Sequence, residues 1–172
     1  MKRIIVTLTS FFLLCSYVFA GVTVKSGNKK FFKTASGNAV LEFIWDGATF
    51  NNTQPLTEKF TELETLKPVA WTGFVEEFNE ACKTVKVIED VSNAKYQISM
   101  KVTNMDQYFK VMGFIPGNAT KVWGTLTITE IETGNEIVVF DVEEIDGGAN
   151  PSPDGSFSDC FEALGKSILK AK

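Results

Sequence analysis

The 172-residue chain carries 17 basic and 21 acidic residues and no histidine. The missing histidine excludes Ser-His-Asp and Cys-His nucleophilic sites and every histidine-based zinc site. A net charge of −4, with lysines scattered rather than clustered, leaves no electrostatic footprint for nucleic acid or an anionic membrane surface.

The chain opens with Lys2 and Arg3, continues through an apolar run from Ile4 to Phe19, and reaches the small-x-small triplet Val18-Phe19-Ala20. These are the three parts of a secretory signal, so residues 1–20 are expected to be cleaved. The run carries Thr7, Thr9, Ser10 and Ser16 and is shorter than a bilayer span requires. No transmembrane segment is expected once it is removed. Leu14 precedes Cys15, a residue too bulky for the usual lipidation site. Loss of Lys2 and Arg3 moves the net charge from −4 to −6.

Residues 21–37 are polar and glycine-containing, and read as a tail or an edge strand. Ala39, Leu41, Phe43 and Trp45 alternate with polar neighbours as a half-buried strand does. Pro55 suits a first helical turn, and Leu56, Phe60, Leu63 and Leu66 form one apolar stripe. Pro68 is expected to stop or kink this helix. A second helix follows over 69–84, with Trp71, Phe74, Val75, Phe78, Ala81 and Cys82 inward.

Residues 85–88 read as a short strand. Tyr96, Ile98, Met100 and Val102 alternate without error, which predicts a strand over 95–103. A hairpin is expected from 121–131 and 136–145 around Glu132-Thr-Gly-Asn135. Residues 146–155 hold too much Gly, Pro and Asp for regular structure. A last helix starts near Ser156, where Ser156 and Asp159 have capping-box spacing. Its buried stripe is Phe157, Cys160, Phe161, Leu164 and Ile168. The sum is an α+β class chain: one domain over 38–172, two-layered, with a mostly antiparallel sheet of about five strands and three helices packed on it.

Three segments carry a resemblance. Lys95-Tyr-Gln-Ile-Ser-Met-Lys-Val102, Val122-Trp-Gly-Thr-Leu-Thr-Ile128 and Glu132-Thr-Gly-Asn-Glu-Ile137, followed by the Gly/Pro loop and an amphipathic helix, resemble exported proteins with a TolB N-terminal-like domain. They are similar also to the curli-secretion and penicillin-binding-protein-activator lipoproteins. The resemblance implies a bacterial envelope protein that works by contact with a protein or small ligand rather than by catalysis, and needs no cofactor.

Residues 105–116 join two well-specified strands with an unusually apolar connection. Loops normally run polar over the surface. This one either folds back as a lid or is exposed for a partner, and Tyr108, Phe109, Met112 and Phe114 are the candidate contact residues. Cys82 and Cys160 remain as an even pair in an oxidising compartment and are candidates for a disulfide; two buried thiols are the alternative. The competing function is a small hydrolase using carboxylates from Glu76, Glu77, Glu143, Glu144, Asp146 and Asp154. The Asp146-Gly-Gly…Asp154-Gly spacing fits neither a phosphate-cradling loop nor an EF-hand.

Overall fold

The computed structural model describes residues 21–60, 63–112 and 115–171. The signal reading of residues 1–20 and the candidate Phe114 lie outside them. In chain order the elements are β1 Gly21–Gly27, α1 Phe31–Thr34, β2 Gly37–Ile44, β3 Thr49–Phe50, β4 Gln54–Pro55, α2 Leu56–Lys59, α3 Leu63–Ala81, β5 Val85–Val87, β6 Tyr96–Met112, β7 Ile115–Glu130, β8 Glu136–Asp146 and α4 Pro153–Ser167. Short 3-10 turns at Val91–Asn93 and Ile168–Lys170 complete the path.

The strands lie in the order β1-β8-β7-β6-β2-β5, with β3 also against β6 and β4 against β3. This corrects the expectation of a five-stranded, mostly antiparallel sheet with three helices. The sheet has eight strands and is mixed, and four helices are present among the described residues. β2 runs parallel to both of its neighbours, and β3 runs parallel to β6. The helical crossover from 56 to 81 brings the chain back beside β2 in the same direction, as parallel pairing demands.

The extra elements were invisible to periodicity for separate reasons. β1 lies in the polar stretch read as a tail or an edge strand, and it is an edge strand, held by β8 in antiparallel register with Gly21 opposite Glu143. β3 and β4 span two residues each, too few for an alternation to register. Pro68 neither stops α3 nor marks its start. It lies at the sixth helical residue, where only one early backbone bond is forfeited.

The helices cover one face of the sheet. Phe74, Phe78, Phe157, Phe161 and Leu164 are fully buried over Ile98, Met100, Leu126 and Ile128, each such side chain contributing roughly 1.5–3 kcal/mol by leaving water. Phe43 meets Phe161 edge-on at 5.0 Å. α3 and α4 come close because Gly73 and Gly165 sit at their contact; a Cβ at Gly165 would lie 2.7 Å from the Phe74 carbonyl oxygen. The opposite face is polar, with Thr125, Thr127 and Thr129 half-buried on β7.

The proposed Cys82–Cys160 disulfide is absent, and both cysteines are free and buried. Cys82 follows α3 and packs beside Thr84, 3.7 Å from its hydroxyl. Cys160 lies within α4 and its thiol donates to the Ile145 carbonyl at 3.2 Å. An apolar stripe places a residue in the core without setting which part of the core it faces: Cys82 lies against the bend before β5 and Cys160 against β8. Burial pushes the Cys160 thiol well above its ordinary range.

Candidate functional site

The connection expected at 105–116 is a pair of strands. β6 continues to Met112 and β7 begins at Ile115, in unbroken antiparallel register from Asn104↔Trp123 to Met112↔Ile115. A bulge between Val102 and Asn104 shifts the alternation by one residue, so the inward face passes from Val102 to Met105. Asn104, buried by the bulge, accepts hydrogen bonds from the Thr49 hydroxyl at 2.9 Å and the Asn52 backbone N–H at 2.8 Å.

The hairpin outruns the rest of the sheet. β3 accompanies β6 only as far as Met105, and β8 accompanies β7 only to the rung Lys121↔Asp146. Past that point the chain after β8 laces β7 through one bridge, Asn118↔Asn150. Gly117 is needed there, since a Cβ would come within 2.5 Å of the Asn150 carbonyl oxygen. The result is a two-stranded arm projecting from one end of the sheet.

Strand alternation splits the arm into two faces. On the helix side stand Gln107, Phe109 and Val111, with register mates Thr120, Asn118 and Pro116. Thr120 is buried and shares a 2.9 Å hydrogen bond with the Ser156 hydroxyl of α4, which fixes which way this face looks. Phe109 is 70% exposed and Val111 59%. At the base of this face Gln107 enters the lining of a cavity of about 380 Å³, with Phe60, Leu66, Val69 and Phe157, and with Lys59 and Asp154 also on its wall.

The other face carries Tyr108 and Lys110. The Tyr108 hydroxyl donates to Asp146 Oδ2 at 2.5 Å, Lys110 Nζ donates to the same oxygen at 2.6 Å, and the Gly148 N–H donates to Oδ1 at 2.8 Å. Lys121 sits 4.7 Å above the Tyr108 ring and pairs with Glu144. Burial, then the bond to Asp146, raises the Tyr108 phenol to about 12. Burial alone would raise Asp146 too, but the bonds from Lys110, Tyr108 and Gly148 hold its carboxyl below the ordinary value. Glu144 takes a left-handed backbone, φ 54, in a bulge between Val122 and Gly124 of the β7–β8 ladder.

Tyr108 and Phe109 therefore do not form one patch: Tyr108 clamps the base of the arm, and Phe109 faces a groove. Met112 closes the described part of β6 opposite Ile115. Val111, Pro116 and Gln107 lie within the segment 105–116 singled out by the sequence but were not among its contact candidates, and Phe157 was read only as core, although the odd-numbered alternation of Met105, Phe109 and Val111 was legible. The carboxylates offered for hydrolysis are dispersed or occupied. Glu77 pairs with Lys166 at 2.9 Å, Asp146 with Lys110, and Glu144 with Lys121. A glycosidase acid needs a raised pKa, whereas Asp146 is held low. Ser156 does not cap α4; Ser152 does, accepting from the Gly155 N–H at 3.3 Å. Among the described residues no helix is long and apolar enough to cross a membrane.

No family model matches the chain, and no curated protein matches it. Among solved structures it is similar to the PelC dodecamer from Paraburkholderia phytofirmans, at 16% identity and TM-score 0.44, covering 86% of this chain and 97% of that one. It is similar to a putative neuraminyllactose-binding hemagglutinin homologue from Helicobacter pylori, at 12% identity and TM-score 0.40, covering 78% and 82%. A DUF330 protein from Xanthomonas campestris is similar at 10% identity and TM-score 0.40, covering 84% and 86%. Function is read from this chain's own residues.

Proposed function

We propose that this chain is an exported, non-catalytic binding module of the bacterial envelope that holds a partner polypeptide in the groove between its hairpin arm and its helices. The observation that carries this reading is the exposure of Phe109 and Val111, 70% and 59%, on the same strand face as Gln107, which lines a cavity with Phe60, Leu66, Val69 and Phe157. Isolated exposed apolar residues are ordinary, but two on one strand face that leads into a partly apolar cavity are of the kind that marks partner contacts. Phe109 brings the large rigid area that dominates interface energetics. The signal-like residues 1–20 and the resemblance to the TolB N-terminal-like group support the compartment.

A photoreactive amino acid placed at 109 tests the reading in the native host. Position 91 is the control, because Val91 is equally exposed, at 65%, on a separate turn. The expected result is a discrete heavier adduct from position 109, lost when Leu66→Asp is added and absent from position 91. Equal labelling from both positions, or an adduct indifferent to Leu66→Asp, overturns it.

A further inference from the structure

We infer that two copies of this chain pair through the outer backbone edge of the β6 arm, in antiparallel register centred on Phe109. The inference concerns the same arm as the groove reading but uses a different feature, its unpaired main chain.

Ladder parity identifies the free groups. In an antiparallel ladder the N–H and C=O of one residue point to the same side, and the side alternates along the strand. Asn118 exchanges both of its backbone bonds with Asn150, at 2.7 and 2.8 Å, on the side of β7 away from β6. Its register mate Phe109 is therefore in a non-bonded rung, and Phe109 turns its own N–H and C=O away from β7. Thr120 behaves in the same way, accepting from the Gly147 N–H at 3.4 Å, and its mate is Gln107. Met105 completes the series, since its outward carbonyl accepts the Asn51 N–H at 2.9 Å. The outward residues are thus 105, 107, 109 and 111. The first is covered, and no other strand or turn among the described residues bonds the remaining three.

An open edge with few charges invites another strand. Within 107–111 only Lys110 is charged. Three outward residues centred on Phe109 are self-complementary about a two-fold axis. A second copy placed there forms six backbone hydrogen bonds, sets Phe109 against Phe109, and sets each Gln107 against Val111 of the other copy. A register centred on Tyr108 would place Val111 of one copy where β3 already lies beside Met105. A register centred on Lys110 would oppose two lysines. Centring on Phe109 instead sets each Lys110 opposite Tyr108 of the other copy, whose hydroxyl is bonded to the Asp146 carboxylate. In this register no two lysines stand directly opposite each other.

The test uses the purified exported protein. Sedimentation equilibrium of the wild type is expected to show a concentration-dependent monomer–dimer equilibrium. Val111→Pro deletes an outward N–H without touching the β6–β7 ladder, and should weaken dimerisation at least tenfold with an unchanged circular dichroism spectrum. Phe109→Cys puts a thiol on the axis and should oxidise to a dimer of doubled mass. Tyr108→Cys, which meets Lys110 rather than itself, should oxidise at least tenfold more slowly. A wild type that stays monomeric at high concentration overturns the inference, as does a dimer insensitive to Val111→Pro or one crosslinked equally from 108 and 109. Leu66→Asp, which should abolish the groove adduct, is expected to leave dimerisation intact, so the two readings fail separately.

Discussion

One carboxylate organises the base of the arm. Asp146 receives Tyr108, Lys110 and the Gly148 N–H together, and those donors lower its pKa against the opposing effect of burial. The sign of the linkage follows. A carboxyl depressed in the folded state adds stability above its unfolded value, and that stability disappears as pH falls through the folded value. Urea midpoints measured at pH 6 and pH 3 should therefore fall more for the wild type than for Asp146→Asn, which has no proton to take up there. Parallel losses in the two proteins would remove Asp146 from the account. Tyr108 gives a second check. With its phenol raised to about 12, an ultraviolet titration should show a tyrosine component ionising near pH 12 that is absent in Tyr108→Phe. At this scale the sequence was partly legible. Tyr108 and Phe109 were recognised as unusual from their apolar company. Asp146 was read as a loop acid, because nothing local signals a carboxylate whose donors lie 36 and 38 residues away in the chain.

Elements fit together here through their smallest residues. α3 and α4 touch at Gly73 and Gly165, and the two effects of adding a methyl at 165 oppose each other. Alanine is the better helix former by about 1 kcal/mol. The new Cβ, however, would lie 2.7 Å from the backbone oxygen of Phe74, and backbone cannot swing aside as a side chain can. Overpacking of this kind costs about 1–3 kcal/mol, so Gly165→Ala should be net destabilising, by roughly 1 kcal/mol or more, in a denaturant melt. A stabilised variant would mean the helices separate easily. Long periodic stretches such as β6 before its bulge, α3 beyond Pro68 and α4 were readable because period and burial agree. The bulge at Val102–Asn104 defeated the reading beyond it. One inserted residue flips the buried parity, so a strand whose inward face moves from even to odd numbers looks like the end of a strand.

At the scale of the whole molecule, the core and the arm separate cleanly. The last rung buried on the helix side by apolar residues is Met105↔Val122, both fully buried. Of residues 109–111 and 116–118, none belongs to the hydrophobic core. A two-stranded ribbon is marginal alone in water, so the arm depends on the Asp146 clamp and on the Asn118↔Asn150 bridge. Its amides should report this in hydrogen exchange. Tyr108 and Lys110 point into the ribbon and should exchange more slowly than Phe109 and Val111 in dilute monomer. The same separation predicts that the arm can be shortened. A two-residue hairpin turn must close on a hydrogen-bonded rung, and Tyr108↔Ala119 is such a rung by the parity that leaves Phe109 and Asn118 unbonded to each other. Replacing residues 109–118 with Asn-Gly keeps the Tyr108–Asp146 bond and every core residue, and removes Phe109, Val111, Pro116 and the open edge together. The expected product is a folded monomer with the near-ultraviolet circular dichroism of the parent and a stability within about 3 kcal/mol of it, since a surface ribbon and one bridge of two hydrogen bonds are lost at about 1 kcal/mol per bond, with the partly exposed Lys110–Asp146 pair adding up to about 1 kcal/mol. It should yield no partner adduct and no dimer. A chain that fails to fold, or one that still binds, would place the arm inside the folding unit and the binding surface elsewhere.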